Sequence, residues 1–510
     1  MPTAIVKTAT LIGVEACMID VEADVHMGLG AFNIVGLPDG AIKESKDRIS
    51  SALKNGCGGF PIRRIIINLA PADIKKMGTG FDLPIAIAIL KAFDQLPDNA
   101  IQSDLIIGEL ALDGRIKPIP GILAVALAAR KSGIKRLIVP IENSRQACLV
   151  DGIEVLGAKD IQQVLDHYTF VKNLPVIQKE SFITEPEELD LLDFSEVKGQ
   201  QTAKRVLEIA AAGKHNVLFS GPPGSGKSML SKRMPSILPP LSFQESLETT
   251  KIHSVSNKGQ QNHGLLSQRP FRNPHHSVSG AGLIGGGTFP KPGEVSLAHN
   301  GVLFLDELAE FSRYTLDLLR QPMEDKVVSI ARANISLKFP SDFILLAAMN
   351  PCLCGYLGDT NRECSCSIGS ILKYRSKISG PLLDRIDLQA EMLNMTYEEL
   401  NFSKKGEPSH LIRERVLSAR VRQTKRFNQN STRNNSNMSH GEVEKYCYLD
   451  ESGHRLLKHA LAKYKLSARA HDSILKVSRT IADLEGAELL QSHHLAEAIT
   501  YRCLDKEISF

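Results

Sequence analysis

Asn216-Val-Leu-Phe-Ser-Gly-Pro-Pro-Gly-Ser-Gly-Lys-Ser228 is the stretch on which the reading of this chain turns. Its opening is an apolar run with the make-up of a buried strand, and Gly221-Pro222-Pro223-Gly224-Ser225-Gly226-Lys227-Ser228 has the Gly-x-x-x-x-Gly-Lys-Ser spacing of a phosphate-binding loop. Gly221, Gly224 and Gly226 can take backbone angles closed to other residues, so successive N–H groups can turn inward around nucleotide phosphates. Lys227 is then expected to reach the outer phosphates and the Ser228 hydroxyl to ligate Mg²⁺. Met229-Leu-Ser-Lys-Arg-Met234 suits the helix that must follow such a loop.

About eighty residues further on, Gly301-Val-Leu-Phe-Leu-Asp-Glu-Leu308 is a second apolar strand, ending in two carboxylates. This is the Walker B pattern. Asp306, at the carboxyl end of a parallel strand, can hold the Mg²⁺ shell, and Glu307 can orient and deprotonate an attacking water. Glu307 argues for turnover rather than passive nucleotide binding.

With 510 residues, the chain should form roughly two to four domains. Its 61 Lys and Arg against 57 Asp and Glu announce no global affinity for nucleic acid, so any basic surface must be local. No apolar run is long enough to span a membrane, and Met1-Pro-Thr-Ala-Ile-Val-Lys lacks the layout of a secretory signal, so a cytoplasmic protein with no membrane partner is expected. Of the nine cysteines, Cys352, Cys354, Cys364 and Cys366 crowd together as two Cys-x-Cys pairs. Gly355, Gly358 and Asp359 can turn the chain back between the pairs, so four thiolates could meet around one Zn²⁺; reduced, packed cysteines are the alternative.

Residues 1–170 alternate short apolar runs (Arg64-Ile-Ile-Ile-Asn-Leu, Arg136-Leu-Ile-Val-Pro) with helical stretches such as Pro84-Ile-Ala-Ile-Ala-Ile-Leu-Lys-Ala, the pattern of an α/β domain. Gly108-Glu-Leu-Ala-Leu-Asp-Gly-Arg-Ile-Lys-Pro-Ile-Pro-Gly121 resembles the proteolytic domain of Lon, which has a ribosomal S5 domain 2-like fold. That chemistry needs a serine activated by a lysine. The matching places here hold Gly80 and Leu123, so the resemblance implies the fold without peptidase activity. Residues 171–195 read as an acidic linker.

Residues 242–300 exceed what a crossover between the two nucleotide motifs needs. Within them Arg269–Lys291 has no acidic residue and much Gly and Pro, and it includes His275-His276. A mobile loop touching phosphate and an ordered structural loop both fit. Adjacent histidines should point apart, which favours hydrogen bonding or DNA contact over metal. From Ser403 to Arg433 there are nine Lys and Arg against Glu407 and Glu414.

Arg269–His299 running into the Walker B strand, followed by Leu319-Arg-Gln-Pro-Met-Glu-Asp325 and Ala347-Ala-Met-Asn-Pro-Cys-Leu-Cys-Gly355, resembles the magnesium-chelatase-like AAA+ family of ComM and YifB along essentially the whole chain. The resemblance implies a P-loop AAA+ core over 196–395 and a basic helical lid over 396–510. It implies Asn350 as the residue that orients the lytic water and, in Gly380-Pro-Leu-Leu-Asp-Arg-Ile-Asp387, Arg385 as an arginine finger entering a neighbouring subunit. Arg469 matches the second sensor. Surface ion pairing for Arg385 and helix capping for Arg469 are the plain alternatives. Val327–Phe339 fits the pore hairpin of this clade, which also holds the MCM helicases.

The expected protein is therefore an ATP- and Mg²⁺-dependent DNA motor. The resemblance implies a homo-oligomer, a hexameric ring, acting on single-stranded and branched DNA in branch migration during natural transformation. A chelatase ATPase subunit and a protein-remodelling ATPase are the rivals.

Overall fold

The computed structural model describes residues 4–502 except 58, 60–62, 98–100, 102, 179–191, 257–263, 288–289, 333–334, 360–361, 396–404, 429–432 and 465, and leaves out the side chains of Arg332 and Ile335. Most of the expected acidic linker lies outside the described residues. The chain divides into two compact units, Met1–Glu187 with Ser246–Leu266, and Glu188–Glu245 with Ser267–Phe510. The span read from the sequence as one insertion, 242–300, is thus shared between them.

The first unit is a seven-stranded mixed sheet with helices. Its strands are β1 (Ala4–Ile12), β2 (Glu15–His26), β3 (Ala31–Val35), β4 (Arg64–Ala70), β5 (Asp104–Ile106), β6 (Arg136–Pro140) and β7 (Glu154–Ala158), in the order β3-β4-β2-β1-β5-β6-β7. β1, β2 and β4 are antiparallel neighbours; the other pairings are parallel. Helices α1 (Gly40–Gly56), α2 (Asp82–Ala92), α3 (Ile122–Lys131) and α4 (Ile161–Tyr168) complete it. β4 buries Ile65, Ile67 and Leu69 in alternation, the period-2 signature of a sheet with one covered face. α2 is buried all along, from Asp82 to Leu90, as a helix apolar on every side must be. Its buried charge, Asp82, receives two bonds from the Arg48 guanidinium of α1, at 2.8 and 3.0 Å.

In the second unit, α5 (Gln201–Gly213) leads into β8 (Val217–Ser220), the phosphate-loop strand, followed by α6 (Lys227–Ser231). α7 (Phe243–Val255) begins the excursion into the first unit. β9 (Phe271–Arg272), β10 (Val302–Leu305), β13 (Ile344–Met349) and β14 (Leu388–Glu391) join β8 in a wholly parallel sheet of order β9-β10-β13-β8-β14. α8 (Arg320–Asp325) precedes β11 (Val327–Arg332) and β12 (Ile335–Pro340), which pair as an antiparallel hairpin from Val327↔Pro340 to Arg332↔Ile335. Its tip lies outside the described residues. β8, β10 and β13 are buried at every position, as a parallel sheet covered on both faces requires.

Among the described residues, the second unit ends in the helices α9 (Ser409–Arg426), α10 (His440–Tyr446), α11 (Glu451–Tyr464), α12 (Ala468–Glu485) and α13 (Ser492–Thr500). α9 buries Ile412, Val416, Ala419 and Gln423 along one stripe, which packs into the sheet's own hydrophobic core. A buried polar chain ties α12 to the feet of β8 and β14. His215 meets Thr480 at 2.8 Å and Asp387 at 3.1 Å, and Asp387 accepts from the Ser473 hydroxyl at 2.6 Å. Burial alone would push the Asp387 carboxyl up; the bond and charge of His215, with Ser473, overcome it and hold it at about 2.

Candidate nucleotide site

Strand order builds this site. β13 lies between β8 and β10, so the carboxyl ends of three adjacent parallel strands deliver Gly221, Asn350 and Asp306 to one edge of the sheet. The glycines of the loop serve two purposes. Gly224 and Gly226 have φ of 82° and 89°, the left-handed region expected of them. Gly221 is needed for a different reason: a Cβ there would collide with the Met392 carbonyl oxygen just past β14.

The Lys227 ammonium turns back into the loop, donating to the Gly221 carbonyl at 2.6 Å and the Pro222 carbonyl at 2.8 Å, with Ser225 Oγ and Asn350 Oδ1 each at 3.4 Å. Burial lowers its pKa to about 8, opposed by the charge of Asp306. Ser228 Oγ donates to Asp306 Oδ2 at 2.6 Å, so the two groups expected around Mg²⁺ already touch. A hydroxyl, a carboxylate and a lysine beside a Gly-rich turn form a donor set that fits a Mg²⁺-bound nucleotide.

Glu307 sits in a left-handed conformation with φ 52°; its N–H donates to Asp306 Oδ1 at 3.0 Å and its side chain is exposed. His276 Nδ1 lies 3.5 Å from Glu307 Oε2. The sequence reading missed this neighbour, and the expectation that His275 and His276 diverge is corrected: their ring centroids are 4.0 Å apart. A turn at residues 276–277 brings the rings together, which residue spacing alone cannot reveal.

Neither Arg385 nor Arg469 bonds the loop. Arg385 Nη2 lies 2.6 Å from Glu324 Oε1 in α8, and Arg469 Nη2 bonds the same oxygen. Glu324 was not singled out from sequence, because nothing in Gln-Pro-Met-Glu-Asp marks one carboxylate as the meeting point of two distant arginines.

The basic stretches are less free than their composition suggests. Arg269 is taken up by Glu245 and by the carbonyls of Pro239 and Asn300, and Arg272 by Glu294 at 2.7 Å. Among the described residues of 405–433, Arg415 pairs with Glu407 and Glu208, Arg420 caps Ala211, Arg422 bonds the Asp483 carbonyl, Arg426 pairs with buried Asp483, and Arg433 with Glu442. Lys405, Arg413 and Lys425 are the cations of that run outside such bonds.

The four expected cysteines do converge. Cys352, Cys354 and Cys364 place their sulfurs 3.4 to 3.6 Å from one another, and the four ligand atoms, with Cys366, lie within 4.8 Å. Sulfurs about 2.3 Å from a tetrahedral Zn²⁺ would sit at nearly these separations, so the set is compatible with zinc. The knuckle grows from the end of β13, where Gly355 packs against Pro223 of the phosphate loop.

Family models described as "Magnesium chelatase, subunit ChlI", "Subunit ChlI of Mg-chelatase" and "Magnesium chelatase, subunit ChlI C-terminal" match residues 193–400, 21–143 and 406–502. Competence protein ComM of Haemophilus influenzae is 43% identical over 509 residues, covering 99% of this chain and 98% of that protein. The chain belongs to the magnesium-chelatase-like family of ComM and YifB. The uncharacterized YifB of Escherichia coli K12 is 41% identical over 520 residues, again covering 99% and 98% of the two chains. Lon protease 2 of Bacillus subtilis is 38% identical over 112 residues, 21% of this chain and 19% of that one, a likeness in the amino-terminal part. For a member of the ComM and YifB family, the described α/β architecture and the AAA+ type of core agree with what the residues implied. Among the described residues, no helix is long and apolar enough to cross a membrane.

Proposed function

We propose that this chain is an ATP-driven DNA motor that assembles as a ring, a hexamer by likeness to its clade, and drives branch migration of recombining DNA during natural transformation. The observation that carries the ATPase half is the convergence of Lys227, Ser228, Asp306 and Asn350 at adjacent strand ends, with Glu307 exposed beside them. In this reading Gly221 to Ser228 cradle the phosphates, Ser228 and Asp306 hold Mg²⁺, Asn350 orients water and Glu307 takes its proton. Bound Mg²⁺ would neutralise phosphate charge. Arg385 and Arg469 complete the site of a neighbouring copy, and the cysteine knuckle holds a structural Zn²⁺ that braces the end of β13.

The DNA half is supported by full-length likeness to a protein named for competence and by the hairpin β11–β12. With most arginines of 269–291 and 405–433 engaged internally, contact with DNA falls to the hairpin and to cations such as Lys405, Arg413 and Lys425. The deciding experiment is ATP hydrolysis with and without single-stranded and four-way-junction DNA, beside a junction-displacement assay. Stimulation by DNA and ATP-dependent displacement are expected; hydrolysis indifferent to both DNAs sinks the motor reading.

The family models' own description favours one other reading, an ATPase subunit of a metal chelatase. Hydrolysis stimulated by a porphyrin and a chelatase partner, but not by DNA, would establish it instead.

A further inference from the structure

Glu324 is bonded by two arginines that come from separate parts of the chain, Arg385 just before β14 and Arg469 in the first turn of α12. Both use a single oxygen, Oε1, so neither forms the two-pronged pair in which guanidinium and carboxylate bind most strongly. The cluster has two positive charges and one negative. Among the described residues, Arg385 Nε is buried with no hydrogen-bond partner, and its Nη1 donates to the Pro381 carbonyl alone. The two guanidinium groups thus hold unused capacity for a second anion with several oxygens.

From this arrangement we infer that Glu324 is an internal stand-in for phosphate: it holds Arg385 and Arg469 within their own subunit and must be exchanged for the terminal phosphate of a nucleotide in a neighbouring copy. The inference rests on the functional reading above and deepens it, since it names the group from which the arginines must be won. Glu324 acts here as a positioning residue; it touches no nucleotide. Its carboxyl is held below the usual range by its bonds to Arg385 and Arg469, so it stays charged at neutral pH. The exchange is feasible because Glu324 and Arg469 are each about two-fifths exposed, which makes their pair weak; Arg385, at 13% exposed, is the firmer partner and the later one to be won from Glu324. A phosphate with three oxygens can take both arginines at once and also meet Nε.

The test uses the full-length chain and compares wild type, Glu324→Gln, Arg385→Ala and the double variant, measuring ATP turnover per subunit over a range of protein concentrations. Glu324→Gln keeps the side chain's size and removes its charge. It should raise turnover about two- to fivefold at low protein concentration, where assembly is incomplete, matching the contribution of one surface ion pair. The gain should vanish at high concentration and in the Arg385→Ala background. Turnover that is unchanged or lower at every concentration, or a gain that persists without Arg385, overturns the inference; a merely structural Glu324 would give the lower value. Wild-type hydrolysis no faster than that of Lys227→Ala is a separate result and overturns the functional reading. In that event phenylglyoxal modification, followed peptide by peptide, judges the pairing itself: faster labelling of Arg385 and Arg469 in Glu324→Gln supports it, and unchanged rates refute it.

Discussion

In the first unit the segment before α2 sets Gly80 against the side chains of Ile107 and Ile119, and α3 buries Leu123 completely. In the second unit a junction of the same general kind, where strands end and helices begin, sets an ammonium 3.4 Å from an amide oxygen and a hydroxyl 2.6 Å from a carboxylate. Both are sound α/β packing. A reactive site, however, keeps polar groups partly desolvated at a cost in stability, whereas an apolar pair such as Gly80 and Leu123 lets the same architecture close on itself. The contrast shows that scaffold and chemistry are separable, and that the decisive evidence for an activity is what occupies a few positions on a fold.

The sharpest way to break the contrast is at Glu307. Glu307→Gln should reduce ATP turnover by about 10²- to 10⁴-fold, the usual contribution of a general base, while leaving nucleotide affinity nearly unchanged; Lys227→Ala should abolish binding. Titration with a fluorescent nucleotide and a steady-state assay read both, and equal loss of affinity in the two variants would contradict the division of roles. The converse substitution belongs to the first unit. Leu123→Lys would bury an ammonium in the apolar cluster to which Leu123 belongs and should cost about 3–5 kcal/mol in denaturant unfolding of that unit. Joined to Gly80→Ser it should still hydrolyse no casein, and peptide cleavage by the double variant would show that two side chains are enough to give this scaffold peptidase chemistry.

A smaller effect tests what holds the second unit's strands in place. Asp387→Asn should cost about 2 kcal/mol, a hydrogen-bonded charge lost from a nearly buried site. Because the folded pKa of Asp387 is depressed to about 2, its contribution is complete above the unfolded value near 4 and disappears as pH falls from about 4 to 2. Unfolding curves of wild type and variant should therefore converge toward pH 2; a constant gap would rule out the carboxylate charge as the cause. The smallest effect is at Lys227. With its pKa lowered to about 8, nucleotide affinity should begin to fall as pH rises past 8, because phosphates bind the protonated amine, by up to about tenfold per pH unit. Affinity flat from pH 7 to 9.5 would mean that Lys227 remains charged.

How much of this was legible in the sequence depended on the range of the interaction. The loop and its strand, Asp306 at the end of β10 and Asn350 at the end of β13 follow from apolar runs interrupted by a fixed polar residue, a local signal. The Cys-x-Cys pairs were legible as candidates because the turn between them is short. The basic stretches misled: counting Arg269, Arg272, Arg415 and Arg426 as available charge ignores carboxylates tens or hundreds of residues away that the fold brings to them, such as Glu245 and Asp483. The meeting of two arginines at Glu324 and the approach of His276 to Glu307 were invisible for the same reason. At Gly221 the sequence offered conformational freedom as the reason for a glycine, whereas what excludes a side chain there is the chain passing Met392 and not a left-handed turn.

The return of residues 246–266 to the first unit has a consequence for the order in which the protein is made. Leu247 and Leu265 pack against the first unit's core, and the Ser254 carbonyl accepts from the N–H of Gly121, the residue that starts α3. When a ribosome has finished residue 187, that core still lacks part of its cover, and it must wait while the phosphate loop and α6 are synthesised before the missing piece emerges. Domains commonly fold as units in the order they leave the ribosome. Here the amino-terminal unit cannot be finished first, and the nascent chain must carry an incomplete core through synthesis of the ATPase's opening segment.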